Sequence, residues 1–281
     1  MRAIRISDFS SEYDKTLSLE EVEKPTPSPG FAVVAIKAAS GNPVDFKVLQ
    51  GYLKDTWECP LPMTVGYDFS GIVDCLDDAD IGASKFKVGD EVFAVNWGVN
   101  QHKPVEEGAT VGGAFAEYIK VPLRMLSRKP STITHKQAAA IALVGTTAHQ
   151  ALFDCLQVGK GSKVLILGGP TAVGSIAIQL AKDAGAWVAT TASTRNLEYV
   201  SQFKPDLVVN YREEDWSKDR PELQEIDAVF DAVGEKDAFA RAVTNGKVVK
   251  EGGSFVSIAS PDAGVDPVAH QPRIEYGSFF A

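Results

Sequence analysis

The sequence predicts an α/β fold preceded by a smaller β-rich one, and three observations carry that prediction. Its texture changes near residue 125. Before that point, short runs such as "FAVVAIKAA", "GIVDCL", "DEVFAV" and "AEYIKVP" are broken by Gly, Pro and Asp, the pattern of a partly closed antiparallel barrel. After it, "KVLIL", "AWVATTA", "DLVVN", "DAVFDAV" and "SFVSIA" are separated by stretches long enough for helices, which calls for a parallel sheet with crossover helices. The third observation is the glycine-bearing junction "LGGPTAVG" between a strand-like run and a helical one. The expected division is a β-rich domain over 1–124 and an α/β domain over 125–281.

Bulk properties narrow the partners. With 44% hydrophobic and 23% charged residues, the 281-residue chain has the composition of a soluble globular protein. Its net charge of −9 leaves no excess of Lys and Arg to neutralise phosphates, which argues against nucleic acid and against an anionic membrane. Cys59, Cys75 and Cys155 are odd in number and widely spaced, without the pattern of a disulfide framework. That fits a reducing, cytoplasmic setting. The opening "MRAIRISDFSSEY" lacks a long apolar region, and no stretch approaches the roughly 18 apolar residues of a membrane span.

Local signals place the elements in order. Thr134 begins a Thr-x-x-Gln capping box ending at Gln137, and "KQAAAIAL" follows it as a helix. A second helix is expected over "TTAHQALFDCL", and "GKGSK" leads into the first parallel strand. Beyond the glycine junction, Val173, Ile176, Ala177, Leu180, Ala181 and Ala184 recur at helical period as one apolar face, closed by Gly185. Gly168 and Gly169 stand where a strand must turn sharply, and Gly174 where helix and strand pack closely. Such a helix start offers free N–H groups and a positive dipole end to a pyrophosphate. Thr171 occupies the place of a middle glycine, so the backbone approaches a phosphate less closely while the hydroxyl offers a hydrogen bond. The next strand ends in "TTASTRN" where NAD enzymes carry an acid for the ribose hydroxyls. Ser193 and Arg195 suit an added 2′-phosphate instead, which favours NADPH over NADH.

Together, "ASGNPVDFKVLQG", "GYDFSGIV", "GDEVFA", "GGAFAEY", "AAAIALVGTTAHQAL" and "GGPTAVG" resemble the medium-chain dehydrogenase/reductases, specifically their zinc-free quinone oxidoreductase and enone reductase branch. The resemblance implies a GroES-like catalytic domain, a partly closed β-barrel, beside a Rossmann domain, a doubly wound parallel sheet of strand order 3-2-1-4-5-6. Zinc-dependent relatives carry a Cys in the "GNPVD" motif and a His-Glu pair in the "GYD" motif. Here those places hold Asn42, Tyr67 and Asp68, and the cysteines of a structural zinc lobe are missing. The four histidines, at 102, 135, 149 and 270, lack ligand spacing, so no zinc is expected.

The same resemblance assigns roles. Asn42 is expected on the nicotinamide ribose and Thr147 beside the nicotinamide end. Gly169, Thr171, Ala172 and Val173 line the pyrophosphate, with Thr171 and Ala172 replacing the branch's usual Gly-Gly. Ser193, Arg195 and Tyr211 bound the 2′-phosphate, while Val233, Gly234 and Ser257 flank the nicotinamide. Without a metal, a side-chain donor must stabilise charge on the acceptor's carbonyl oxygen. Tyr52 is the candidate donor, Tyr67 is expected to face the substrate cleft, and Phe46 and Trp97 are candidate walls for a flat substrate. The implied activity is NADPH-dependent reduction of quinones or α,β-unsaturated carbonyl compounds. A 2-enoyl thioester reductase and a non-catalytic, redox-responsive NADPH-binding protein are the alternatives. A homodimer joined through edge strands is implied as well. "PRIEYGSFFA" reads as the sixth parallel strand, with Ile274, Tyr276, Phe279 and Phe280 as its β-formers. Because the family's fold runs further, the natural protein is expected to extend beyond Ala281, or an oligomer to cover the exposed sheet face.

Overall fold

Alternating burial builds the N-terminal half. In the computed structural model, which describes residues 1–52, 54, 61–96, 113–244, 248–258 and 277–278, the strands here are β1 (Arg2–Ile6), β2 (Leu17–Glu21), β3 (Phe31–Ser40), β4 (Met63–Thr64), β5 (Asp68–Leu76), β6 (Glu91–Val95), β7 (Tyr118–Pro122) and β8 (Ser127–Arg128). Helices α1 (Tyr13–Thr16), α2 (Pro43–Leu49) and α3 (His135–His149) complete it. All four β-rich runs seen in the sequence are strands: β3, β5, β6 and β7. They form two antiparallel sheets, ordered β2-β1-β4 and β7-β3-β5-β6-β8, joined by an isolated bridge between Ala3 and Ala116. Ala32, Val34, Phe69, Val73, Val92, Ile119 and Val121 fill the larger sheet's core. The chain divides into two compact units, Met1–Leu143 and Val144–Ala281. The division falls inside α3, later than the change of texture near residue 125.

The second unit is a parallel sheet built as the alternation demands. Its strands are β9 (Lys163–Leu167), β10 (Trp187–Ala192), β11 (Leu207–Asn210), β12 (Ile226–Asp231), β13 (Val249–Ser257) and β14 (Gly277–Ser278), with helices α4 (Ala172–Asp183) and α5 (Leu197–Ser201). The order β11-β10-β9-β12-β13-β14 is 3-2-1-4-5-6 when counted from β9, as the resemblance implies. Within β9, Val164 and Ile166 enter one core and Leu165 and Leu167 another, so the central strand is apolar on both faces. Of the expected sixth strand, Gly277 and Ser278 pair in parallel with Val256 and Ser257. Ile274, Tyr276, Phe279 and Phe280 lie outside the described residues.

Two local expectations need correction. The capping box at Thr134 forms with both arms, Gln137 N donating to Thr134 Oγ1 (3.2 Å) and Thr134 N to Gln137 Oε1 (2.9 Å). The two helices expected beyond it are one, however: α3 runs through Gly145 and passes directly into a π-helical stretch, Gln150–Cys155. A single interior glycine costs a helix only about 1 kcal/mol, too little to break it without a capping group or proline. On α4 the buried face is Gly174, Ser175, Ala177, Ile178 and Ala181, with Val173, Ile176 and Leu180 half-buried at its margin. The face is rotated toward the small residues because they let the helix settle close to the sheet.

Candidate functional site

The β9–α4 junction is a turn whose side chains are spent on holding its own shape. Gly168 has φ +85°, a left-handed conformation that disfavours other residues, and its N–H donates to Thr191 Oγ1 (2.9 Å). Gly169 N donates to the Thr191 carbonyl (3.1 Å). A Cβ on Gly174 would overlap the Gly168 carbonyl oxygen, so this position admits no side chain without a shift. Thr171 is the N-cap of α4. Its hydroxyl donates to Gly168 O (2.8 Å) and accepts from Gly174 N (2.9 Å). That corrects the expectation that the hydroxyl serves a ligand: its single proton is already given to Gly168. The amides of Ala172 and Val173 follow in the first turn, and among the described hydrogen bonds neither donates one.

Neighbouring strand ends complete this edge. Tyr211 N donates to Ala192 O (3.2 Å), which holds the turn after β11 beside Ser193. Ser193 is buried, Arg195 is exposed in a short 3₁₀ turn, and the Tyr211 ring lies 5.4 Å from the Arg212 guanidinium. Asn210 Nδ2 donates to Thr194 Oγ1 (2.9 Å), tying the two turns together. After β12, Val233 N (3.1 Å), Gly234 N (2.9 Å) and Glu235 N all donate to the buried Asp231 carboxylate, and Ser257 Oγ at the end of β13 donates to its Oδ2 (2.9 Å). The turn "DAVG" carries the signal, an Asp followed by a turn glycine, but the sequence reading named Val233, Gly234 and Ser257 without it. Burial pushes the Asp231 carboxyl up, against the hydrogen bonds that favour its ionised form. Gly168, Gly169, Thr171, Ala172, Val173, Gly174, Ser193, Arg195, Tyr211, Val233, Gly234 and Ser257 therefore all lie at the carboxyl ends of the parallel strands, where ligands of open α/β sheets bind. Thr147 is buried on α3.

In the first unit the candidate residues meet through side chains. Asn42 caps α2 ahead of Pro43, and its backbone amide donates to Asp45 Oδ2 (2.5 Å). Its Nδ2 donates to Asp68 Oδ2 (2.8 Å), while Asp68 Oδ1 accepts from Leu143 N in α3 (2.8 Å). Asp45 Oδ1 is buried with no partner. Burial raises Asp45 to about 6 and Asp68 to about 7; Asn42 and Leu143 oppose the rise at Asp68, and the neighbouring Asp45 charge adds to it. Tyr67, expected to face the substrate, is only 9% exposed and packs with Ile6, Val48, Leu49, Met63 and Val65. Tyr52 is 75% exposed, its ring 6.0 Å from Lys47 Nζ, and Phe46 is 43% exposed. Trp97 lies outside the described residues.

An antiparallel unit followed by a 3-2-1-4-5-6 parallel unit with a glycine-shaped first crossover defines a two-domain dehydrogenase architecture. Family models agree: residues 28–131 match the alcohol dehydrogenase GroES-like domain, and residues 172–275 match the family described as zinc-binding dehydrogenase. A quinone oxidoreductase from Coxiella burnetii has a structure similar to 99% of this chain, at 31% identity and a TM-score of 0.79 over 82% of its own length. The chain is 39% identical over 228 residues to the NADPH-dependent alkenal/one oxidoreductase of Arabidopsis thaliana chloroplasts, covering 80% of this chain and 54% of that protein. It is 36% identical over 259 residues to the 2-methylene-furan-3-one reductase of Solanum lycopersicum, covering 91% of this chain and 61% of that protein. The chain thus spans somewhat over half the length of these two curated relatives. It belongs to the medium-chain dehydrogenase/reductase superfamily, in the quinone and enone oxidoreductase branch. A catalytic zinc ion, which the second family description names, does not fit the donors here. Asn42 and Asp68 are hydrogen-bonded to each other, Tyr67 is packed in the core, and among the described residues no group of three or more His, Cys, Asp or Glu could hold a metal.

Proposed function

We propose that this chain is the greater part of an NADPH-dependent, zinc-independent oxidoreductase acting on quinones or α,β-unsaturated carbonyl compounds. The observation that carries the reading is the pairing of a preformed amide cradle at the α4 N-terminus with a cation, Arg195, where an NAD enzyme carries an acid. When bound, NADPH supplies a hydride from its nicotinamide ring. Ala172 and Val173 amides hold the pyrophosphate, and Ser193, Arg195 and Tyr211 receive the 2′-phosphate. Asn42 hydrogen-bonds the nicotinamide ribose, while Thr147, Val233, Gly234 and Ser257 border the ring. With NADPH bound, its hydride would go to the β-carbon of an enone and a proton from solvent to the α-carbon, giving NADP⁺ and the saturated carbonyl. Tyr52 donates to the carbonyl oxygen as negative charge builds there, and Phe46 is a wall for a flat acceptor. The activities for which the Arabidopsis and tomato relatives are named support this substrate class.

The reading includes a cytoplasmic homodimer. Cys75 and Cys155 form no described disulfide, which suits a reducing compartment, and no helix among the described residues is long and apolar enough to cross a membrane. The dimer would pair through an edge strand of the parallel sheet, β11 or β14. Titration of NADPH and NADH, followed by turnover of 9,10-phenanthrenequinone, a 2-alkenal and a crotonyl thioester, tests the function. Tight NADPH binding with quinone or alkenal reduction supports it. Turnover of the thioester alone makes the chain an enoyl reductase, and binding without turnover makes it a nucleotide-responsive protein. In Arg195→Ala, KM for NADPH should rise about tenfold or more while KM for NADH barely moves, because only the former loses charge-assisted hydrogen bonds. Equal effects on the two coenzymes overturn the assignment.

A further inference from the structure

We propose that Asp231 is a positioning residue for the nicotinamide half of the coenzyme, an inference that rests on the dinucleotide reading above. Its carboxylate gathers two separate strand ends. Val233, Gly234 and Glu235 donate their amides to it from the turn after β12, and Ser257 donates its hydroxyl from the end of β13. Those two segments carry every residue of the parallel sheet assigned to the nicotinamide. The pyrophosphate turn is held differently, by Thr171 and Thr191, and the adenosine end by Asn210 with Thr194. The Asp231 group meets the pyrophosphate turn through the strand ladder, where Ala232 N donates to Leu167 O (3.1 Å), and no described hydrogen bond joins it to Asn210 or Thr194.

The side chain is 1% exposed, so solvent cannot replace a donor that is lost. It also accepts four donors at once, which only a carboxylate does. An asparagine keeps one acceptor oxygen for the amides but presents an NH₂ toward the others. Ser257 Oγ can reverse and accept from that NH₂, but Glu235 N, 3.2 Å from Oδ2, then meets another donor, so the turn after β12, which borders the nicotinamide, must give. The Val233 side chain shows how little slack exists, since a Cβ added to Gly168 would overlap its Cγ1. Displacing the turn after β12 moves the wall of the pyrophosphate turn on its nicotinamide side and leaves the adenosine contacts in place.

Calorimetric titration of wild type, Asp231→Asn and Ser257→Ala with NADPH and with 2′,5′-ADP, which lacks the nicotinamide half, separates the outcomes. Asp231→Asn should weaken NADPH about tenfold or more, from loss of hydrogen bonds to a charged acceptor, and leave 2′,5′-ADP essentially unchanged. Ser257→Ala, which removes one donor and keeps the turn, should show a smaller loss of the same selective kind and serves if Asp231→Asn does not fold. Equal losses for the two ligands, or none for either, overturn the positioning role. A wild type that binds neither ligand overturns the NADPH reading itself.

Discussion

In the parallel unit the Ala172 and Val173 amides at the start of α4 donate no described hydrogen bond, and the turn before them is held in shape by Thr171, Thr191 and the spent amides of Gly168 and Gly169. Asn42, Asp45 and Asp68 in the antiparallel unit meet as side chains drawn from α2 and β5, with an amide borrowed from α3. The contrast has a physical origin. A helix start and a parallel strand end already point N–H groups outward, so the parallel unit needs only a turn that stays open. Two antiparallel sheets offer no such array, so specificity there must come from buried polar groups that pay for desolvation. Asp231 is the instructive intermediate, a side chain whose task is to hold backbone.

Substituting Asp68 tests the desolvation cost most severely. Its folded-state carboxyl lies near 7 against an ordinary value of 3.8. Below the ordinary value both folded and unfolded states hold the proton; between the two, only the folded state does. Its contribution to stability is therefore full at low pH and lost as pH rises through about 7. Asp68→Asn keeps an acceptor for Leu143 N and, with Asn42 turned over, a partner for that amide. It should unfold later than wild type at pH 8, by a difference on the order of 4 kcal/mol that vanishes toward pH 4. Chemical denaturation of both proteins across this range measures it. A difference that is constant with pH would place Asp68's cost elsewhere.

Next in size is the donor in the antiparallel unit. Tyr52→Phe should lower kcat and kcat/KM together for a 2-alkenal by about a hundredfold, and less for a quinone, which is easier to reduce. Unchanged kinetics with both acceptors would return Tyr52 to the solvent-exposed surface it occupies. The smallest expected effect sharpens the other half of the comparison. Thr171→Ala should cost about 1 kcal/mol of stability as a lost helix cap, with only a modest fall in NADPH affinity as the cradle loses preorganisation, whereas Thr171→Ser should restore both. A large loss of affinity in Thr171→Ala would mean that the hydroxyl reaches the ligand after all.

The β9–α4 turn and the parallel sheet were legible because their signals are local: glycine spacing, period, and the alternation of strand and helix; the strand order came from the family resemblance. The buried face of α4 was half legible. Periodicity found Ala177 and Ala181, but it weighs large apolar residues, while the buried face also takes in Gly174, Ser175 and Ile178. Asn42 with Asp68, and Asp231 with Ser257, were out of reach as pairs. Each joins residues 26 positions apart, and nothing in the intervening sequence marks the partner. The use of Thr171 was misread for a related reason, since a hydroxyl at a helix start serves cap or ligand equally well until its proton is located.

The threonine cap has a thermodynamic consequence. A glycine at position 171 would let a phosphate come nearer, but it would leave the unfolded chain with more conformations to lose, a difference of about 0.4–1 kcal/mol for such exchanges. With Thr171 bonded to both Gly168 and Gly174, the cradle is already shaped before any ligand arrives. A dinucleotide landing there need not order the loop, so its binding should carry a small entropic penalty at the pyrophosphate. In this chain, closeness of approach has been exchanged for preorganisation.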